Sequence, residues 1–340
     1  MEPDVHGWKF RGVLPMQTIV LLVMFCVGVF THCVSASERK QLVKPSGIQR
    51  VIADGTHNAF TAMVRWHKAY WLSFRSASSH GSLDGDLVVL RSTNAEQWHE
   101  VQRFDILPDD RDPQFLATPD RLFLYDPARH DGSLTSLVTY TDNGKTWSPP
   151  QQVYHENFII WKPVARAGRF FASAHISSSN GHERAVHLIA SNDGLNWEKI
   201  SEIRSGNWES ETTIHFTEDE KIVGFLRQIK ESSPSAILES LPPYTNWSER
   251  KLDLHLSGHA VYTFDGVTYL FSRIRDRGRR GTIVYLYESG ELLPYCEIPS
   301  GGDCSYPAAV RLGAEMLVSY YSSHEGSTNI YTCRVPLHDR

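Results

Sequence analysis

Three arginines end apolar runs in closely similar settings, Phe74-Arg75, Leu226-Arg227 and Ser272-Arg273. A single arginine at a strand end can simply meet water. Three brought to one place form planar forks that match carboxylates and sugar oxygens. Their mutual repulsion then needs an offset, from Asp84, Asp112, Glu209 and Glu211 or from an anionic ligand. His57, Asn58, Arg111, His259, Tyr306, Tyr320 and His324 could join them. Whether these residues meet depends on the elements that carry them.

Those elements repeat. Trp98, Trp147, Trp197 and Trp247 stand 49, 50 and 50 residues apart. Two of them end nearly the same heptapeptide, Thr141-Asp142-Asn143-Gly144-Lys145-Thr146-Trp147 and Ser191-Asn192-Asp193-Gly194-Leu195-Asn196-Trp197. A third copy, 92–98, is degraded, and the fourth keeps only Tyr244-Thr245-Asn246-Trp247. An Asx residue next to Gly closes a tight turn, a Ser/Thr hydroxyl bonds its backbone, and the Trp returns to pack the hairpin base. Between the turns lie short runs rich in Tyr, Trp, Val and Ile, as strands favour. A period near 50 built from short strands predicts an all-β chain, a six-bladed β-propeller with inner strands starting near His57, Asp112, Ile160, Glu211, His259 and Tyr306. The last unit offers only three strands, so Gly47–Ala53 is expected to supply its fourth and close the ring with an N-terminal strand in the last blade.

In a propeller the innermost strand of each blade begins on the face where the second strand ends, so residues at these two positions converge on a central funnel. The first position carries His57, Asn58, Arg111, Asp112, Trp161, Lys162, Glu209, Glu211, His259 and Tyr306. The second carries Arg75, His175, Arg227, Arg273 and the run from Tyr320 to His324. Such a funnel suits an anionic or polyhydroxylated ligand.

At this point the chain resembles the Asp-box sialidases and their relatives, and within them exported bacterial sialidase-like proteins with a His57-Asn58-Ala59-Phe60-Thr61 start and a Tyr320-Tyr321-Ser322-Ser323-His324-Glu325-Gly326 ending. The resemblance implies catalytic roles for Tyr306 as nucleophile, Glu211 as its base and Asp84 as general acid/base, with Arg75, Arg227 and Arg273 binding substrate. His57, Asn58, Arg111, Asp112, His259, Tyr320 and His324 are the further substrate-binding candidates. One departure stands out: where sialidases carry the first arginine of a three-arginine carboxylate clamp, this chain has His57-Asn58.

The remaining bounds are coarser. Net charge is −5 without a basic stripe, which argues against nucleic acid as a partner. Lys9 and Arg11 precede an apolar stretch from Val13 to Phe30, and Val34-Ser35-Ala36 follows. This reads as a secretory signal over residues 1–36, with an uncleaved anchor as the alternative, and the propeller over 37–340. No stable membrane insertion is expected after cleavage, and the location is secreted or periplasmic. Of Cys296, Cys304 and Cys333, an oxidising compartment would pair two. No CxxC, HExxH or clustered His/Cys spacing is present, so neither a metal nor another cofactor is expected. The resulting expectation is an exo-glycoside hydrolase acting on a terminal acidic sugar of a glycan or glycoconjugate. A non-catalytic glycan-binding propeller and a propeller polysaccharide lyase are the alternatives.

Overall fold

The computed structural model describes residues 41–130, 132–176, 184–276 and 278–339. The expected signal sequence lies outside the described residues. All regular elements within them are strands, arranged as six antiparallel sheets that are the blades of a β-propeller. The blades span 57–104, 109–152, 158–206, 209–251, 260–298 and 304–336. Their inner strands include His57–Trp66, Gln114–Ala117, Phe158–Arg166, Glu209–Phe216, Ala260–Phe264 and Cys304–Leu312. The sixth sheet takes strands from both ends of the chain: Ser46–Ile52 pairs antiparallel with Asn329–Pro336 at its outer edge.

The core lies between blades. Phe123, Tyr125 and Val138 of the second blade pack on Ile160, Ala172 and Ile189 of the third, and Leu188, Ala190 and Ile203 of the third pack on Ile214, Leu226 and Leu238 of the fourth. Buried hydroxyls bond the backbone of an adjacent blade. Thr61 Oγ1 donates to Tyr306 O (2.8 Å), Ser173 Oγ to Thr212 O (2.5 Å) and Thr213 Oγ1 to His259 O (3.3 Å). Each of these bonds ties one blade's side chain to the neighbouring blade's backbone.

The heptapeptide turns share one hydrogen-bond pattern. Ser92, Thr141 and Ser191 each accept two backbone amides through the hydroxyl, and the side-chain oxygens of Asn94, Asn143 and Asp193 each accept the next two. The degraded copy keeps the geometry, with Ala95 at φ 63° where the others have Gly144 (70°) and Gly194 (77°). The turns also pack on the preceding blade. Trp147 meets Phe104 edge-on at 5.4 Å, Trp197 meets Tyr125 at 5.9 Å, and Trp247 Nε1 donates to Ser201 Oγ. A Cβ on Gly144 would lie 2.8 Å from the Trp71 ring, so glycine permits this close approach as well as the left-handed φ. The first-blade turn reaches the sixth blade, where Glu96 accepts from Gln49 and Arg334.

The three described cysteines are free and buried, which corrects the expectation of a disulfide. Cys296 and Cys333 sit in one apolar cluster with Tyr269, Met316 and Tyr331. Burial pushes the Cys296 thiol up to about 12, so it behaves as a small apolar side chain.

Candidate functional site

The inner strands of blades 1, 3, 4 and 6 are each interrupted by an irregularity, between Ala59 and Ala62, Trp161 and Val164, Glu209 and Thr212, and Ser305 and Ala308. The second blade breaks between its two inner strand pieces, and the fifth bends just before Ala260. Phe60 (φ 60°), Asp112 (37°), Lys162 (43°), Gly258 (50°) and Tyr306 (48°) occupy these bends in the left-handed region, and Glu211 occupies the fourth. A bulge re-aims a side chain, and a left-handed non-glycine residue costs roughly 1–2 kcal/mol. Strain repeated at comparable points of several blades, with acids, a lysine and a tyrosine at them, makes this the candidate functional centre.

Tyr306 and Glu211 form its middle. The Tyr306 hydroxyl donates to Glu211 Oε1 at 2.5 Å, and Arg227 Nη1 donates to the same oxygen at 2.6 Å and to the phenol oxygen at 3.2 Å. The Gly258 amide donates to Glu211 Oε2 at 3.1 Å. A Cβ on Gly258 would sit 2.6 Å from the Tyr306 ring, so glycine is required where the phenol leans over the chain. Burial alone would raise the Glu211 carboxyl, but Arg227 and the Tyr306 hydroxyl hold it at about 2. Burial, then the Glu211 charge, push the Tyr306 phenol well above its ordinary value. The resting pair is therefore a neutral phenol on a carboxylate. Arg273 covers the Tyr306 ring at 5.5 Å and donates to the Tyr321 hydroxyl at 3.0 Å.

Lys162 and Asp112 complete the funnel floor. Burial lowers the Lys162 ammonium to about 8 against the pull of Glu211 and Asp112. Burial raises the Asp112 carboxyl, with Arg111 opposing and Glu211 adding to the rise. At the far end of the channel lies a cavity of about 460 Å³ lined by mainly apolar residues, including Met63, Leu116, Val164, Ile214 and Tyr262.

Several expected ligand contacts turn out to be framework. Arg75 is fully enclosed, with 0% side-chain exposure. It pairs with Asp109 at 2.7 Å and donates to the carbonyls of Ser79 and Ser82. Arg111 pairs with the other Asp109 oxygen at 2.9 Å and donates to the His80 carbonyl. Both arginines thus clamp the 78–84 loop. Gly85 is tied to this pair, since a Cβ there would lie 2.3 Å from Arg75 Nε. Asn58 is buried and holds Asp54 and the Thr328 carbonyl, and His259 is buried and bonded to the Phe225 carbonyl. Tyr320 stacks on Tyr331 inside the core, while its neighbour Tyr321 faces the funnel. His324 is exposed on the 323–328 loop and bonds Ser322. Asp84 is exposed on the clamped loop, where Ser82, Ser78 and the Ser78 amide hold its carboxyl below the usual value.

Sequence reasoning missed Asp109, His80, Asp303 and the outward parity of Tyr321. Asp303 Oδ2 lies 2.9 Å from His57 Nε2 and 2.7 Å from His80 Nδ1, and Oδ1 accepts from Tyr321 at 2.9 Å. Burial opposes ionisation of Asp303, yet these bonds hold its carboxyl far below the ordinary value.

No family model and no curated protein sequence matches the chain. Solved structures do. A protein of unknown function from Dyadobacter fermentans superposes with a TM-score of 0.73 at 18% identity, covering 86% of this chain and 100% of that one. Trypanosoma rangeli sialidase in complex with sialic acid gives 0.68 at 13% identity over 86% of this chain and 59% of the sialidase. Penicillium chrysogenum alpha-L-arabinanase complexed with arabinobiose gives 0.60 at 15% identity over 86% and 96%. At these identities the likeness establishes the fold, a sialidase-like six-bladed propeller that also carries glycosidases.

Proposed function

We propose that the protein is an exported exo-acting glycoside hydrolase of sialidase type, working on a terminal acidic sugar of a glycan. The observation that carries this reading is the Tyr306–Glu211–Arg227 cluster, in which a buried neutral phenol already donates to an ionised carboxylate. An anionic sugar repels a carboxylate nucleophile, and a phenol relieved of its proton attacks more easily. In the first step the Tyr306 oxygen bonds the anomeric carbon and its proton passes to Glu211. The glycosidic C–O bond breaks, and its oxygen takes a proton from Asp84. Water then attacks the anomeric carbon and gives its proton to Asp84, while the Tyr306–carbon bond breaks and the phenol recovers its proton from Glu211. Arg227 sits where it stabilises charge growing on the phenol oxygen.

In this reading the heptapeptide turns are Asp-box turns, and Lys9, Arg11 and the apolar run to Phe30 direct export. Arg227 and Arg273 grip the acidic group, and His57 stands where a third arginine would. The test is to assay the purified protein against aryl glycosides that include sialosides, other acidic sugars and neutral sugars, with released sugar measured. Acidic sugars other than sialosides should be cleaved best, and Tyr306→Phe should fold normally while losing about 10²-fold or more in turnover. Binding of such sugars without any turnover would favour the glycan-binding alternative.

A further inference from the structure

We propose that His57, His80 and Asp303 form a site for one divalent ion of the zinc class at the funnel wall, with a coordination position left open to the funnel. His57 Nε2, His80 Nδ1 and an Asp303 oxygen all lie within 4.8 Å of one another. They come from three separate places: the start of the first inner strand, the clamped 78–84 loop, and the turn before the last inner strand.

Two of the three ligands, Asp303 and His80, are held from behind. Tyr321 donates to Asp303 Oδ1 and is itself bonded by Arg273, while the Asp303 amide donates to Ser323 Oγ at 2.8 Å. Arg75 and Arg111 fix the loop bearing His80 through three of its carbonyls. The His80 ring rests on Phe60 at 5.4 Å, and Phe60 packs on Tyr306 at 5.0 Å, so the cluster adjoins the nucleophile candidate. Oriented outer partners of this kind tune metal ligands and hold them in place.

The donor set selects the ion. Two imidazoles and one carboxylate suit zinc and its neighbours, whereas calcium and magnesium take oxygens. The present separations of 2.7 and 2.9 Å are hydrogen-bond lengths. Tetrahedral bonds of about 2.0 Å would spread the donors to roughly 3.3 Å, a small outward shift. His80 can supply it, because its side chain is 55% exposed, against 12% for His57 and 29% for Asp303. Three protein ligands with one open side is the arrangement of zinc sites that admit a further ligand. Arg273 lies 3.9 Å from Oδ1, on the side away from the imidazoles. The position also has chemical sense. His57 occupies the place of the missing clamp arginine, and a bound cation there would restore a positive charge able to take a sugar carboxylate or hydroxyl. That last role rests on the glycosidase reading, whereas ion binding does not.

The experiment uses the purified protein after chelator treatment, titrated with Zn²⁺ alone by calorimetry and with Co²⁺ alone by visible absorption. The expected result is one Zn²⁺ per chain and an intense tetrahedral-type Co²⁺ band. His80→Ala should weaken Zn²⁺ binding by roughly tenfold or more and remove the band. Asp303→Asn should do the same if His80→Ala fails to fold. Tyr306→Phe should bind Zn²⁺ like the wild type even where turnover is lost, which separates this proposal from the glycosidase assignment. No saturable binding, or binding unchanged in both ligand variants, would mean a hydrogen-bonded His–Asp–His cluster only and overturn the proposal.

Discussion

The residues that face the funnel divide by protonation state, and in the proposed glycosidase reaction that division decides which acid serves the leaving group. Asp84 is ionised at rest because Ser82, Ser78 and the Ser78 amide stabilise its charge, so it needs a bound sugar to bury it before it carries a proton. Asp112 is already raised by burial. We expect Asp84→Asn to lower turnover about 10²-fold on substrates with poor leaving groups and far less on those with good ones, since only the former need protonation. Comparing leaving-group dependence in Asp84→Asn and Asp112→Asn measures this. If the dependence follows Asp112 instead, the acid is Asp112. Tyr306, Glu211, Arg227 and Arg273 were readable from the sequence because strand starts and strand ends are positions that a repeat reveals. Tyr320 and Tyr321 show the limit: strand side chains alternate, so an error of one residue exchanges core for funnel. His57, His80 and Asp303 form no spacing motif because their juxtaposition belongs to the closed ring and not to any local stretch.

At the scale of elements, the 78–84 loop owes its shape to a buried ion network and not to its own sequence. Asp109 bridges Arg75 and Arg111 with no exposure, and both arginines hold loop carbonyls. Nothing in the runs Phe74-Arg75 or Arg111-Asp112 distinguishes a clamp from a ligand contact, because the deciding partner is Asp109. Asp109→Asn leaves two buried guanidinium groups undercompensated. It should cost about 3–5 kcal/mol in denaturant unfolding and expose the loop to limited proteolysis. A loss under 1 kcal/mol with an unchanged cleavage pattern would contradict the clamp. The neighbouring Asp110 and Asp126 supply a pH prediction. Burial raises Asp110 to about 6 against hydrogen bonds from the Ile106 amide and Asp126, and raises Asp126 further still, with the Asp110 charge adding to that rise. An acid whose folded value is raised takes up a proton on folding. Its support is full below the unfolded value near 3.8, falls as pH rises through about 6, and stays reduced above. Asp126→Asn supplies an N–H that can donate to Asp110 and removes a buried carboxyl that folding must hold protonated. It should flatten this decline and raise stability at pH 7 by about 1 kcal/mol or more, as unfolding at pH 4 and pH 7 would show.

At the scale of the whole molecule, the tryptophan period was the most legible feature, since one turn repeated at about 50 residues sets the length of a blade, and the inner-strand starts spaced by that length count six. What it did not reveal is that each turn clips the blade before it, so that the turns act between units. Around the ring this device reaches the sixth blade through Glu96, which meets Gln49 and Arg334. The same blade takes its outer edge from Ser46–Ile52, with Val51 and Ile52 packed against the cluster that contains Phe60 and Tyr306. Upstream, the Val43 amide donates to Tyr295 O, so any processing of the N-terminus has to cut before residue 43 to leave the fold whole. Removing Ser46–Ile52 would strip the ladder partner from Asn329–Pro336 and take away Val51 and Ile52, two half-buried aliphatic side chains, from the cluster they cover. The loss should be about 3 kcal/mol or more, which for a domain of this size lowers Tm by roughly 5–10 °C. Thermal unfolding of the protein beginning at residue 41 against the same protein beginning at residue 53 makes the comparison with the first 40 residues absent from both. Equal melting temperatures would show that the sixth blade stands on three strands and that the ring does not depend on its N-terminal strand.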